Sequence, residues 1–91
     1  MNARDTIVKF PSHVMARTLG SDVVILDLSK GSYFGLDRVG ARAWQLWAEH
    51  KTLGEICDVL VNEYDVAREV LERDLDKLAN ELRAQGLIEF G

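Results

Sequence analysis

Residues 22–44 read DVVILDLSKGSYFGLDRVGARAW. Val23–Leu28 is almost wholly β-branched or aliphatic, which is the signature of a strand lying mid-sheet or covered on both faces. Ser29-Lys30-Gly31 is turn chemistry, with Gly31 free to take a positive φ. Tyr33–Leu36 is then the short aromatic return strand of a hairpin. It runs almost without a linker into Asp37, a good N-cap residue for a helix. A strand that follows its own turn and stops at a helix cap is left at the edge of its sheet. Edge strands carry unpaired backbone donors and acceptors, so they can capture an extended peptide.

Working outward, the helix after Asp37 places Val39, Ala43, Leu46 and Trp47 on one stripe and is expected to end near His50. Gly40 inside it costs about 1 kcal/mol of helix propensity, which points to close packing there. Trp44 lies beside that stripe, and at helical spacing it reads as packing rather than as a ligand contact. Thr52-Leu53-Gly54-Glu55 matches a capping box. Leu53, Ile56, Cys57, Leu60 and Tyr64 follow as one apolar face. A third helix is expected from about Ala67 to Gln85, with Leu71, Leu75, Leu78 and Leu82 as its buried stripe and Gly86 closing it in a left-handed conformation. Upstream, His13–Leu19 reads as a first strand and Gly20-Ser21-Asp22 as a turn. Residues 1–12, with Pro11, are expected to be an irregular start, and residues 13–91 one domain. Leu87–Phe90 is apolar enough to fold back on the core. The class is α+β: a small three-stranded antiparallel sheet followed by three helices, an order that also describes a winged helix-turn-helix.

Ninety-one residues, 47% hydrophobic and 29% charged with one proline, suit one small globular domain. There is no apolar run of transmembrane length and no apolar signal segment at the N-terminus. The lone Cys57 excludes an internal disulfide and fits a reducing cytoplasmic setting. Its place on an apolar helix face reads as a small core residue rather than a nucleophile. His13 and His50 are far apart, and no phosphate loop or hydrolase motif is present. Neither a catalytic group, a cofactor nor a metal is expected. The net charge of −4 runs against a nucleic-acid partner. The candidate recognition helix gives the same answer: residues 66–85 carry Arg68, Arg73, Lys77 and Arg83 against Glu69, Glu72, Asp74, Asp76 and Glu81. A winged-helix DNA-binding regulator is therefore the disfavoured alternative, and peptide capture the favoured use of the open edge.

Three segments, ILDLSKGSYFGLDRVGARAW, TLGEICDVLVNEYDV and ELRAQGLIE, resemble the PqqD-like family of RiPP precursor-peptide recognition elements. The resemblance runs from about His13 to Glu89. The GSYFGLDRVGARAW form is closer to the stand-alone proteins of lasso peptide clusters than to the pyrroloquinoline quinone protein that gives the family its name. The resemblance implies a winged-helix-like fold and a non-enzymatic role. It implies binding of the leader segment of a ribosomally made precursor peptide, which adds as a further antiparallel strand and is presented to maturation enzymes. In lasso clusters those would be a leader peptidase and a cyclase, and in the quinone pathway a radical SAM enzyme. Carried over by position, Ser32, Tyr33, Phe34, Gly35 and Leu36 form the docking strand. Ala67, Val70, Leu71, Asp74 and Lys77 of the third helix form the opposite wall, with Val70 against an apolar leader side chain and Asp74 and Lys77 fixing orientation. The flank bearing Arg68, Glu72 and Arg83 is the alternative wall. The sequence leaves open which docking-strand side chains face the groove.

Overall fold

The computed structural model describes residues 7–90. Its elements in chain order are β1 (Val8–Lys9), β2 (Val14–Leu19), β3 (Asp22–Asp27), β4 (Ser32–Leu36), α1 (Arg38–Ala48), α2 (Leu53–Glu63), α3 (Arg68–Ala84) and β5 (Glu89–Phe90). Strands β2, β3 and β4 form an antiparallel sheet in that order, so the apolar run of residues 23–27 is central and β4 is an edge. This is the expected α+β arrangement of a three-stranded antiparallel sheet followed by three helices, winged-helix-like in layout.

The register decides which face of the sheet is core. Val23 pairs with Leu36 and Ile25 with Phe34, and Val23, Ile25 and Leu36 are buried. The other parity, Met15, Leu26 and Tyr33 in one cross-strand row, faces away, with Met15 and Tyr33 exposed. Helix α1 covers the inner face through Ala43, Trp44, Leu46 and Trp47. Trp44 is buried, and Phe10 stacks on it with ring centroids 4.4 Å apart, so its role is packing.

The β3–β4 turn is built by a carboxylate. Asp27 is 2% exposed at the end of β3. Its Oδ1 accepts from the Ser29 hydroxyl at 2.7 Å, the Ser29 amide at 3.0 Å and the Lys30 amide at 3.2 Å. Gly31, at φ +67°, closes the turn by donating to the Asp27 carbonyl. A buried carboxylate is tolerated only when bonded in this way.

Each helix boundary has a local cause. The Asp37 carboxylate caps α1 by accepting from the Gly40 amide at 3.1 Å. At the other end, the His50 amide donates to Trp47 and the Lys51 amide to Leu46, a Schellman closure with His50 held at φ 65°. The capping box of α2 is present: Thr52 Oγ1 accepts from the Glu55 amide, and Glu55 Oε1 accepts from the Thr52 amide. Helix α3 ends as expected at Gly86, with φ 76° and the Leu87 amide bonded to the Leu82 carbonyl. Its buried stripe is Leu71, Leu75, Ala79 and Leu82. Leu78 is only partly covered, which departs from the expected leucine stripe.

The N-terminal stretch also departs from expectation. Residues 1–6 lie outside the described residues, but Val8–Lys9 is a strand, paired antiparallel with β5. Val8 is buried, and Leu87 and Ile88 are buried beside it. Two paired residues leave no readable period in the sequence, and this ladder exists only because both chain ends meet over the core.

Burial alone raises a carboxyl pKa, yet the Ser29 hydroxyl and then the turn amides hold Asp27 below its ordinary value. Stability from this group is thus fully present above the unfolded value of about 3.9 and is lost as pH falls through the lower folded value. Urea midpoints for wild type and Asp27→Asn, measured from pH 7 down to pH 3, should converge as pH falls. A gap that stays constant would mean the carboxylate charge plays no part in the turn. Thr52→Ala should cost about 1 kcal/mol, read as a lowered thermal midpoint, with α2 the helix affected.

Candidate functional site

Strand β4 bonds β3 along one side only, so alternate residues along it present backbone N–H and C=O groups away from the sheet. Beside that free edge lies a groove of about 570 Å³. Phe34, Gly35 and Leu36 of β4 form one wall, and Leu71, Asp74, Leu75 and Leu78 of α3 form the other. Asp37, Val39 and Gly40 at the start of α1 and Tyr64, Asp65 and Val66 from the α2–α3 connection complete it.

Gly40 is buried where these elements meet. A Cβ there would sit 3.4 Å from Cδ2 of both Leu36 and Leu78, which is ordinary van der Waals contact. The first turn of α1 thus packs directly against β4 and α3 at this position, but the packing does not require a glycine. Leu36 is fully enclosed, while Phe34 and Leu78 remain half-covered and present apolar surface to the groove.

Of the residues expected from the sequence, the structure gathers Phe34, Gly35, Leu36, Leu71 and Asp74 around this one groove. Ser32 and Tyr33 lie on β4 but outside the groove lining. The Tyr33 side chain is 77% exposed on the outer face of the sheet. Ala67, Val70 and Lys77 are exposed positions of α3 outside the lining, with Val70 one turn before Asp74. The alternative flank is engaged elsewhere. Arg68 pairs with Asp58 and donates to the Gly54 carbonyl of α2, and it also lies 3.5 Å from Glu72. Arg83 sits over the Phe90 ring at 5.1 Å. The Asp74 side of α3 is thus the one turned to β4.

Sequence reasoning missed Leu75, Leu78, Val39 and Gly40 as lining, having read all four as internal packing. It also missed Tyr64, Asp65 and Val66. An aromatic and a valine flanking an aspartate between two helices is an apolar loop, and that was the available signal.

A second cavity of about 470 Å³, lined in part by His13, Asp27, Lys30 and Arg83, lies at the far end of α3. Its polar groups are largely bonded to one another. Asp27 is held by the turn, His13 Nε2 is 3.2 Å from the Gly86 carbonyl, and Lys30 donates to the Gln85 carbonyl. The strand beside it, β5, is only two residues long, whereas β4 offers five, so the β4 groove is the better site for strand addition. Cys57 is buried in the core. Among the described residues no group of three or more His, Cys, Asp or Glu is placed to hold a metal ion. No described helix is long and apolar enough to cross a membrane.

The chain is similar to two solved proteins. One is described as TbiB1 in complex with the TbiA(beta) leader peptide: it is 41% identical, with 89% of this chain and 94% of that one covered and a TM-score of 0.83. The other is a lasso peptide synthetase B1 complexed with the leader peptide, 23% identical over 91% of this chain and 98% of that one, with a TM-score of 0.84. At that lower identity the likeness shows the fold alone. No curated protein matches the chain. The family model for coenzyme PQQ synthesis protein D covers residues 22–88, from the start of the central strand to the residue before β5, and the chain belongs to the PqqD family.

Proposed function

We propose that this protein binds the leader segment of a ribosomally synthesised precursor peptide and presents it to maturation enzymes of the lasso type, a leader peptidase and a cyclase. The observation that carries this reading is the unpaired edge of β4 beside an apolar groove walled by α3. An extended leader adds as a fourth strand, and its alternate side chains enter the groove. The 41% identity to TbiB1, a protein seen with a leader peptide, supports the same use of the same fold. In this reading the role is that of a non-catalytic, cytoplasmic partner of the maturation enzymes, supported by membership of the PqqD family and by the likeness to TbiB1.

Energetics decide where specificity lies. Each backbone bond of strand addition contributes about 0.5–1.5 kcal/mol net. Ordering a flexible leader offsets much of that gain, at a cost of about 2–5 kcal/mol. Apolar anchors, each about 1.5–3 kcal/mol when buried, must supply the remainder. Phe34 and Leu78, half-covered without a ligand, are the surfaces such anchors would complete.

The name of the family model supports a second reading, a peptide chaperone of quinone-cofactor synthesis that works with a radical SAM enzyme. Titration calorimetry with the TbiA(beta) leader, with the leader of the precursor gene neighbouring this one and with the quinone-pathway precursor separates the two. Saturable binding to a lasso-type leader is expected, and an absence of binding to every leader would sink both readings.

Gly35→Pro, which removes an N–H on the free edge, should abolish or strongly weaken that binding while the helical circular dichroism stays native. Unchanged affinity would place the docking strand elsewhere. Leu78→Ala should weaken it by about tenfold, the affinity equivalent of about 1.4 kcal/mol of lost apolar contact.

A further inference from the structure

The β4 groove is apolar along its walls but carries charge of one sign. Its lining includes Asp37, Asp65 and Asp74 and contains no lysine, arginine or histidine. Asp37 is committed to capping α1 through its bond to the Gly40 amide. Asp65, on the α2–α3 connection, and Asp74, on α3, are both exposed, and neither pairs with a cation among the described residues. The arginine ion pairs lie elsewhere. Arg42 joins Glu63, and Arg68 joins Asp58 and Glu72.

We propose that the groove selects leaders by charge as well as by apolar fit, taking a segment in which an apolar anchor is flanked by lysine or arginine that meets Asp65 and Asp74. The inference rests on the leader-binding reading above and adds the chemistry of the ligand to it. An apolar groove at an open edge accepts any hydrophobic strand, including unwanted ones. Two carboxylates on its rim without a cation partner among the described residues make an acidic segment unfavourable and a basic one favourable, which is discrimination by repulsion as much as by attraction. Side chains of an extended peptide that point the same way recur about every 6.8 Å, twice the rise per residue. A basic residue two positions from the anchor would therefore share its face and reach the rim. The net charge of −4 extends the same preference to the approach of the peptide.

The test is selection from a random display library of twelve-residue peptides on three immobilised proteins: wild type, Asp65→Lys/Asp74→Lys, and Gly35→Pro. Wild type should enrich peptides with an apolar core and flanking Lys or Arg. The double variant should keep the apolar core and exchange the flanks for Asp or Glu, and Gly35→Pro should enrich neither. For a peptide selected on wild type, Asp65→Asn and Asp74→Asn should each weaken binding about two- to fivefold at low salt, with less effect at 1 M salt. Apolar enrichment without basic flanks, or flanks unchanged in the double variant, overturns the charge selection and leaves leader binding standing. No enrichment by wild type overturns the leader-binding reading and the charge selection together.

Discussion

The binding face depends on one constraint: β4 must remain unpaired along its outer edge. Several features secure this. The hairpin places β3 between β2 and β4, so the sheet can grow only at its two rims. The residues that could have lengthened β4 are converted into a helix by the Asp37 cap one residue after the strand ends. The terminal strands β1 and β5 pair with each other instead of joining the larger sheet. Strand β4 is five residues long, short enough to limit non-specific edge pairing while still offering a ladder to a peptide.

A free edge alone is not a site, and α3 makes it one. The position of that helix is set from three directions. Its leucines bury against the core, Arg68 ties its first turn to α2, and Gly86 turns the chain back so that Leu87 and Ile88 seal the far end. With Arg68 bonded to α2 and paired with Glu72 along its own helix, the face bearing Leu71, Asp74 and Leu78 is the one turned to β4. Charge thus divides α3 lengthwise. One side carries the ion pairs of Arg68, and the other holds Asp74, which has no cation partner among the described residues, beside an apolar floor.

The elements were legible wherever one residue type carries a strong local preference. The capping box at Thr52 and Glu55, the cap at Asp37, the left-handed Gly86 and the hairpin through Gly31 all follow from chemistry within a few residues, and each is where the sequence places it. The edge position of β4 was also legible, because an edge can be inferred from the order of turns and caps. Less legible was the far wall. A helical stripe read from sequence has a width of one or two side chains, so Leu78 looked like core and Val70 looked like wall. The structure has Leu78 half-covered at the groove and Val70 exposed outside its lining.

The sequence by itself determined the class, the order of elements, the strand with the open edge and the acidic balance, since each of these rests on local propensity or on composition. Only the tertiary structure decided which parity of β4 faces inward, which flank of α3 looks at it, and that Tyr64–Val66 closes the groove. It also decided that Val8–Lys9 pairs with Glu89–Phe90. Those outcomes depend on which distant surfaces meet, through the Ile25–Phe34 register, the Arg68–Asp58 tie and the packing of Gly40 against Leu36 and Leu78. Contacts of that separation leave no periodic trace along the chain.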